Sequence, residues 1–462
     1  MTSWTPRLDE RSGPRYLAIA DQLAKDLDAG VLKPGDRLPT HRELAWKLGV
    51  TVGTVTRAYS EAERRGLIAG EVGRGTFIRD QRMDVPLPAP APVADDSFVD
   101  LGRNFPTPER PSPALVRAIS DVATSPELGL LLSYATNTGL PAHRAAAVEW
   151  LARAGLDAAP SEIVVTNGAQ HAMTLAMAAC ARAGDVVLTE QLTFYGMKSV
   201  ATLLSLRLHG VEMDEYGLLP EALDAACRQV SPKALYCIPT LQNPTAATMP
   251  AERRQEIARI CERHNVLLVE DDIYGFLSPN GPKPVSSVCP QNSVYITSLS
   301  KSVAPGLRVG YMRAPGALLD RLASTLRATT WMATPLMAEI ASRLVRSGEA
   351  ARMAESQRAE AIARQAIATR VLAGFDYSTH PTSFHLWLTL PEPWRREEFS
   401  AQIRQRGVGV ASAEAFAVGR APVPHAVRIG LSATRDRPTL ERALSTIAGL
   451  LREPPDRGIV LV

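Results

Sequence analysis

Residues 294–311 read VYITSLSKSVAPGLRVGY. Val294 to Thr297 is a strand-length apolar and β-branched run. It stops in a Ser-Leu-Ser-Lys turn, and Arg308 follows Lys301 by seven residues. Strands of open α/β sheets present ligand-binding groups in this way, at their carboxyl ends.

The same punctuation recurs upstream. EIVV (162–165) leads into Thr166-Asn167-Gly168-Ala169-Gln170, and DVVLTE (185–190) into Thr193-Phe194-Tyr195-Gly196. ALYCIP (234–239) leads into Asn243-Pro244-Thr245, and VLLVEDD (266–272) into Tyr274. From Asp100 onward such runs alternate with helical stretches, which predicts an α/β domain with a mostly parallel sheet. The polar groups of at least five strand ends then meet along one edge.

Their chemistry is specific as a set. A lysine among hydroxyls and cations suits a Schiff base with a carbonyl cofactor that carries a phosphate. An aspartate at a buried strand end is suited to keep a pyridine nitrogen protonated. Gly168 and Ala169 at a helix start, the Ser298 and Ser300 hydroxyls and Arg308 are suited to cradle the phosphate. Asn243 and Tyr274 can hydrogen-bond a ring oxygen, and Phe194 can stack on the ring. Alone, each residue has a plainer reading: Phe194 as core, Arg428 as an ion-pair partner. Their order carries the assignment.

That ordered set resembles the fold-type I aminotransferases over about residues 100–455. The resemblance implies pyridoxal 5′-phosphate, with Lys301 as the Schiff-base lysine and Asp271 as the partner of the pyridine nitrogen. Tyr274 and Asn243 become the partners of the ring hydroxyl, and Arg308 the phosphate arginine. Gly168-Ala169-Gln170 becomes the phosphate loop. Phe194 takes the stacking position, with Tyr195 as the fallback. Tyr134, before GLPAHR, matches a tyrosine that reaches the neighbouring subunit's phosphate. Arg428 in VRIGLS matches the arginine that grips a substrate α-carboxylate. Ala246 departs from the family pattern, which has glycine after NPT.

The first 79 residues differ. Tyr16-Leu17, Ala20, Leu23-Ala24 and Leu27 recur at helical spacing and stop at Gly30. Thr40-His41-Arg42-Glu43 has the form of a capping box. Its short helix ends at Gly49, and a second begins after Thr51, with Val52, Val55, Ala58-Tyr59 and Ala62 as its apolar stripe. Gly53, Thr54, Arg57 and Ser60 lie opposite. LIAGEVGRGTFI then predicts a hairpin tipped by Gly73-Arg74-Gly75. Over residues 14–79 this is similar to the winged helix-turn-helix of GntR-type regulators, which implies that Arg42, Thr51, Thr54, Arg57, Arg74 and Gly75 face double-stranded DNA. Many relatives carry a polar residue where this chain has Val52, so base readout there is expected to be weaker or apolar.

Charge agrees with that division. The formal net charge is +3. Residues 1–79 hold 13 Lys and Arg against 10 Asp and Glu, whereas the remainder is balanced at 38 against 38. A basic module on a neutral body fits an acidic partner. Between them DQRMDVPLPAPAPVADDSFVD (80–100) alternates proline at 86, 88, 90 and 92, which predicts an extended spacer. The expected organisation is a DNA-binding domain (1–79), a linker (80–99) and a cofactor-binding body (100–462).

The 462 residues are 45% apolar and 21% charged, as in soluble folded proteins. No apolar run approaches the roughly 18 residues of a membrane span. The first ten residues hold no apolar run, so no secretory signal is expected. Five cysteines without CxxC spacing are expected to be reduced thiols, and no metal site is expected.

Reader, linker and aminotransferase-like body in this order resemble the MocR-type transcription regulators. The resemblance implies a cytoplasmic, head-to-tail homodimeric regulator. An amine or amino acid effector would exchange with Lys301 on the cofactor and shift the body between conformations. Two alternatives stand beside it: a working α-amino acid aminotransferase carrying a DNA-binding module, and a regulator whose effector is pyridoxal phosphate itself.

Overall fold

The computed structural model describes residues 4–6, 14–28, 30–33, 35–64, 67–71, 75–78, 98–107, 112–419 and 423–453. They separate into two compact units, one built on the N-terminal elements and the other on the body.

In the small unit, α1 (Arg15–Asp28) buries Ile19, Ala20 and Leu23 against Val55, Ala58, Tyr59 and Ala62 of α3 (Val52–Arg64). The apolar positions recur every three or four residues on both helices, which places them on facing stripes. Between them α2 (His41–Leu48) opens on the predicted capping box. Thr40 Oγ1 accepts from the Glu43 amide at 3.3 Å, and the Glu43 carboxylate accepts from the Thr40 amide at 2.8 Å. Gly49 closes α2 at φ +61°, a conformation glycine adopts without strain. Thr51 Oγ1 accepts from the Thr54 amide at 3.2 Å at the start of α3, and Tyr59 ties that helix to the Pro39 carbonyl at 2.8 Å. β1 (Ile68–Glu71) and β2 (Gly75–Ile78) pair antiparallel, Ile68 opposite Ile78 and Glu71 opposite Gly75.

The body is centred on seven strands. In chain order these are β3 (Ile163–Thr166), β4 (Val186–Glu190), β5 (Arg207–Val211), β6 (Ala234–Cys237), β7 (Leu267–Asp271), β8 (Ser293–Ser298) and β9 (Gly310–Arg313). The spatial order is β3-β9-β8-β7-β6-β4-β5. All neighbours are parallel except β9, which runs antiparallel to β8 and β3. Every residue of β8 is buried, because helices cover both faces of the sheet; a doubly covered strand reads as a continuous apolar run.

A second sheet follows, formed by β10 (Tyr377–Thr379), β11 (His385–Thr389), β12 (Ala411–Ser412) and β13 (Ala426–Gly430) in the order β10-β11-β13-β12. Its core joins Leu386, Leu388, Val427 and Ile429 to helix Arg437–Arg452. Val99–Asp100 pairs in parallel with Val408–Gly409, so the body's ordered chain includes Val99, at the end of the expected linker. Residues 79–97, nearly all of that linker, lie outside the described residues. All five cysteines are free thiols. Among the described residues no helix is long and apolar enough to cross a membrane, and no cluster of His, Cys, Asp or Glu could hold a metal.

Candidate functional site

Lys301 lies in the turn beyond β8, and its amine donates to the Asn104 backbone carbonyl. Burial pushes the amine down to about 7; Arg428 and Arg308 reinforce the shift and Asp271 opposes it. A lysine titrating there is substantially neutral near pH 7, as a nucleophilic amine must be.

Asp271 closes β7 and is buried. Its Oδ2 accepts from the Tyr236 hydroxyl at 2.7 Å, while Oδ1 has no protein partner. Burial raises this carboxyl to about 6, with the Tyr236 hydrogen bond opposing. A buried carboxylate oxygen without a donor is costly, and a protonated ring nitrogen is the kind of group that satisfies it.

The phosphate-type groups form a cradle. Gly168 stands at φ +84° before α4 (Ala169–Cys180), and no side chain caps that helix. A Cβ on Gly168 would lie 2.6 Å from the Arg308 guanidinium, so only glycine admits the arginine at this helix start. Arg308 reaches Ser300 Oγ and the Asn167 carbonyl, each at 3.4 Å, and the Ser300 amide donates to Ser298 Oγ at 3.3 Å. The uncapped amides of Ala169 and Gln170, the helix dipole and a guanidinium together favour an anion. The Gln170 carboxamide donates to the Gly196 carbonyl at 3.2 Å, tying this cradle to the turn that carries Phe194. Phe194 is half-buried, precedes helix Tyr195–Leu203, and lies 4.8 Å from the Tyr195 ring, centroid to centroid.

Arg428 is fully buried on β13. It donates to Asn243 Oδ1 at 2.7 Å and to the Gly102 carbonyl at 2.5 Å, while its Nε has no partner. Its guanidinium lies 4.9 Å from the Phe416 ring centre. Tyr274 is buried, and its hydroxyl accepts from Asn104 Nδ2 at 2.7 Å. His385 takes the same amide at 3.0 Å through Nδ1 and reaches the Gln242 carbonyl at 2.9 Å through Nε2. Burial, with Arg428 adding to it, lowers His385 to about 3, so it is a neutral positioning group.

The structure thus brings Lys301, Asp271, Tyr274, Asn243, Arg428, Arg308, Ser298, Ser300 and the Gly168–Gln170 turn to one edge of the large sheet. Tyr134 stands apart: it is 81% exposed, and its ring meets that of Trp331 edge-on at 5.8 Å. Sequence reasoning missed Gly102, Asn104, Tyr236 and His385. Gly102 acts through its backbone carbonyl, and Asn104 through both its carbonyl and its side-chain amide, from a short loop that no periodicity marks.

In the small unit Arg42, Thr51 and Arg57 are exposed and Thr54 is half-buried. Gly75 opens β2 at φ +117°, where a Cβ would lie 2.8 Å from Arg37 Nε. Arg74 lies outside the described residues. Val52 and Trp46 are exposed, Trp46 by 84%.

Residues 96–447 match the aminotransferase class I and II family, and residues 15–78 match the bacterial regulatory proteins of the gntR family. The HTH-type transcriptional regulator YdeF of Bacillus subtilis is 31% identical over 453 residues, covering 97% of both chains. The vitamin B6 salvage pathway transcriptional repressor PtsJ of Salmonella typhimurium is 29% identical over 423 residues, covering 90% of this chain and 94% of its own. An archaeal alanine:glyoxylate aminotransferase shares the body's fold with a TM-score of 0.70 at 23% identity, over 77% of this chain and 90% of its own. LysN, an α-aminoadipate aminotransferase of Thermus thermophilus, gives a TM-score of 0.70 at 21% identity, over 77% and 92%.

Proposed function

The chain belongs to the MocR-type transcription regulators, a GntR reader followed by an aminotransferase class I and II body, and from that membership we propose that it regulates transcription in response to an amine or amino acid bound at Lys301. The family's cofactor is pyridoxal phosphate, which when bound supplies an aldehyde that captures primary amines and a ring that draws electrons from them. The observation that carries the reading is Asp271: a buried carboxylate with one oxygen held by Tyr236 and the other without a protein donor.

Each residue then has a defined task. Lys301 offers a neutral amine, Asp271 holds a proton on the ring nitrogen, and Tyr274 and Asn243 orient the ring hydroxyl. Gly168–Gln170, Ser298, Ser300 and Arg308 hold the phosphate, and Phe194 covers the ring. Arg428, with an unused Nε donor, receives an α-carboxylate in two-pronged fashion. Effector binding regulates only if it favours one arrangement of the body over another. Arg42, Thr51, Thr54, Arg57, Arg74 and Gly75 face the operator. In this reading the protein works in the cytoplasm as a head-to-tail homodimer, Tyr134 completing the partner's phosphate site.

Arg428 also supports a second reading, a working α-amino acid aminotransferase, because Arg428 and the QNPT segment that holds Asn243 resemble those of true α-amino acid transaminases, and the two side chains meet at 2.7 Å. A third reading, in which pyridoxal phosphate itself is the signal, is supported by the similarity to PtsJ, a transcriptional repressor of the vitamin B6 salvage pathway. One experiment separates them: the visible spectrum and operator affinity of wild type and Lys301→Ala, with pyridoxal phosphate and an amino acid panel. An amino acid that perturbs the wild-type band and operator affinity, with neither effect in Lys301→Ala, is expected. Release of a keto acid would make the protein an enzyme. Operator affinity that follows the cofactor alone would make the cofactor the signal. Absence of any cofactor band would overturn all three.

A further inference from the structure

Phe105 is a large apolar side chain with 51% of its surface exposed, yet it stands beside the reacting group: its ring centre is 5.6 Å from the Lys301 amine. The backbone on either side is anchored to the site. The preceding carbonyl, of Asn104, accepts from Lys301, and the Phe105 carbonyl accepts from the Ser432 hydroxyl. Ser432 lies four residues beyond Arg428, and Arg428 itself holds the Gly102 carbonyl at 2.5 Å. One short segment therefore sets the distance between an exposed aromatic face, the amine and the carboxylate-binding arginine.

The charges around this point are already committed. Among the described residues, those acting on the Lys301 amine are Arg428, Asp271 and Arg308. In the proposed reading they serve the α-carboxylate, the ring nitrogen and the phosphate. The next cation, Arg103, has its guanidinium 5.6 Å from the Phe105 ring centre and is bound to Asp100 at 2.8 Å. Beyond Arg428 the neighbouring groups are rings as well: Phe416, which stands 5.9 Å from Tyr195 and 6.2 Å from Trp387. Around Phe105 and Phe416, an effector clamped by its amine and carboxylate meets aromatic surface, and the Arg103 guanidinium beside the Phe105 ring is paired with Asp100.

We infer that the effector is an α-amino acid with an uncharged, apolar side chain, and that the Phe105 ring receives that side chain. This rests on the reading of Lys301 and Arg428 given above and adds the class of ligand and a residue that selects it. Apolar contact of this kind discriminates by one or a few methylene-equivalents, which is about 10- to 200-fold in affinity.

The test is a spectral titration of the full-length protein loaded with pyridoxal phosphate. The ligands are L-leucine, L-phenylalanine, glycine, L-glutamate and L-lysine, and the band change yields a dissociation constant for each. Leucine or phenylalanine is expected to bind at least ~10-fold more tightly than glutamate, lysine and glycine. In Phe105→Ala the leucine-to-glycine ratio should collapse toward one, and Phe105→Leu, which keeps an apolar side chain, should preserve much of it. Preference for glutamate would overturn the inference in favour of Arg103 as the selecting group, and an unchanged ratio in both variants would overturn the role of Phe105. A cofactor band that no amino acid perturbs would instead remove the sensing reading on which the inference rests.

Discussion

The Tyr236 hydroxyl donates to Asp271 Oδ2 at 2.7 Å across adjacent strands β6 and β7, leaving Oδ1 as the carboxylate oxygen without a hydrogen-bond partner. Tyr236 thus fixes the rotamer of Asp271 and stabilises its charge. Hydrogen bonds to charged groups contribute about 1.5–3 kcal/mol, or roughly 10- to 150-fold in Kd. Asp271→Asn is therefore expected to weaken pyridoxal phosphate binding by at least ~10-fold, and Tyr236→Phe by less. Absorbance titration of the two variants measures both, and equal affinity in wild type and Asp271→Asn would contradict the assignment.

Lys301 titrates at about 7 because burial and Arg428 disfavour its charge. An exposed lysine titrates near about 10. Only the neutral amine attacks a carbonyl, so capture of added pyridoxal phosphate should accelerate as pH rises through about 7 and then level off. Stopped-flow absorbance from pH 5.5 to 9.5 reads the profile. A rate still climbing tenfold per pH unit at the upper end would mean an ordinary lysine.

Ala246 adopts φ +63° where the family pattern has glycine, its amide held by the Gln242 carbonyl at 2.7 Å. A Cβ in the left-handed region costs roughly 1 kcal/mol, partly offset by the greater unfolded-chain freedom that glycine would introduce. Ala246→Gly should raise stability by up to about 1 kcal/mol. Denaturant unfolding checks this, and a lowered midpoint would show that the methyl contributes more through packing than it costs in strain.

Thr40 and Arg57 separate stability from recognition in the reader. Thr40→Ala removes the hydroxyl that accepts from the Glu43 amide and should destabilise the N-terminal unit by ~1 kcal/mol. Arg57→Ala should leave stability alone, weaken operator binding and reduce the salt-dependence slope by about 1. Thermal melts and fluorescence anisotropy at several salt concentrations distinguish the two. An unchanged salt slope in Arg57→Ala would move that arginine off the phosphates.

The places of Lys301 and Asp271 at the ends of apolar runs were legible in the sequence because such runs reveal where a parallel sheet stops, whereas Arg428 was reached only through the ordered resemblance to the aminotransferases. The capping box Thr40–Glu43 was legible because its hydrogen bonds span three residues. β9 and the four-stranded sheet were not read as elements. β9 is a four-residue strand running antiparallel in a parallel sheet, and β13 is known as a strand only through its pairing with β11 and β12.

What the sequence by itself determined was therefore local: two helices meeting at Gly49, and reactive side chains placed just past apolar strands. Only tertiary structure decided which groups those side chains meet. Lys301 reaches the Asn104 carbonyl across 197 residues, Arg428 reaches Gly102 across 326, and Asp271 meets Tyr236 across 35. The physical reason is that periodicity encodes which face of an element is buried, whereas a hydrogen bond depends on a separation of about 3 Å in space and is indifferent to distance along the chain.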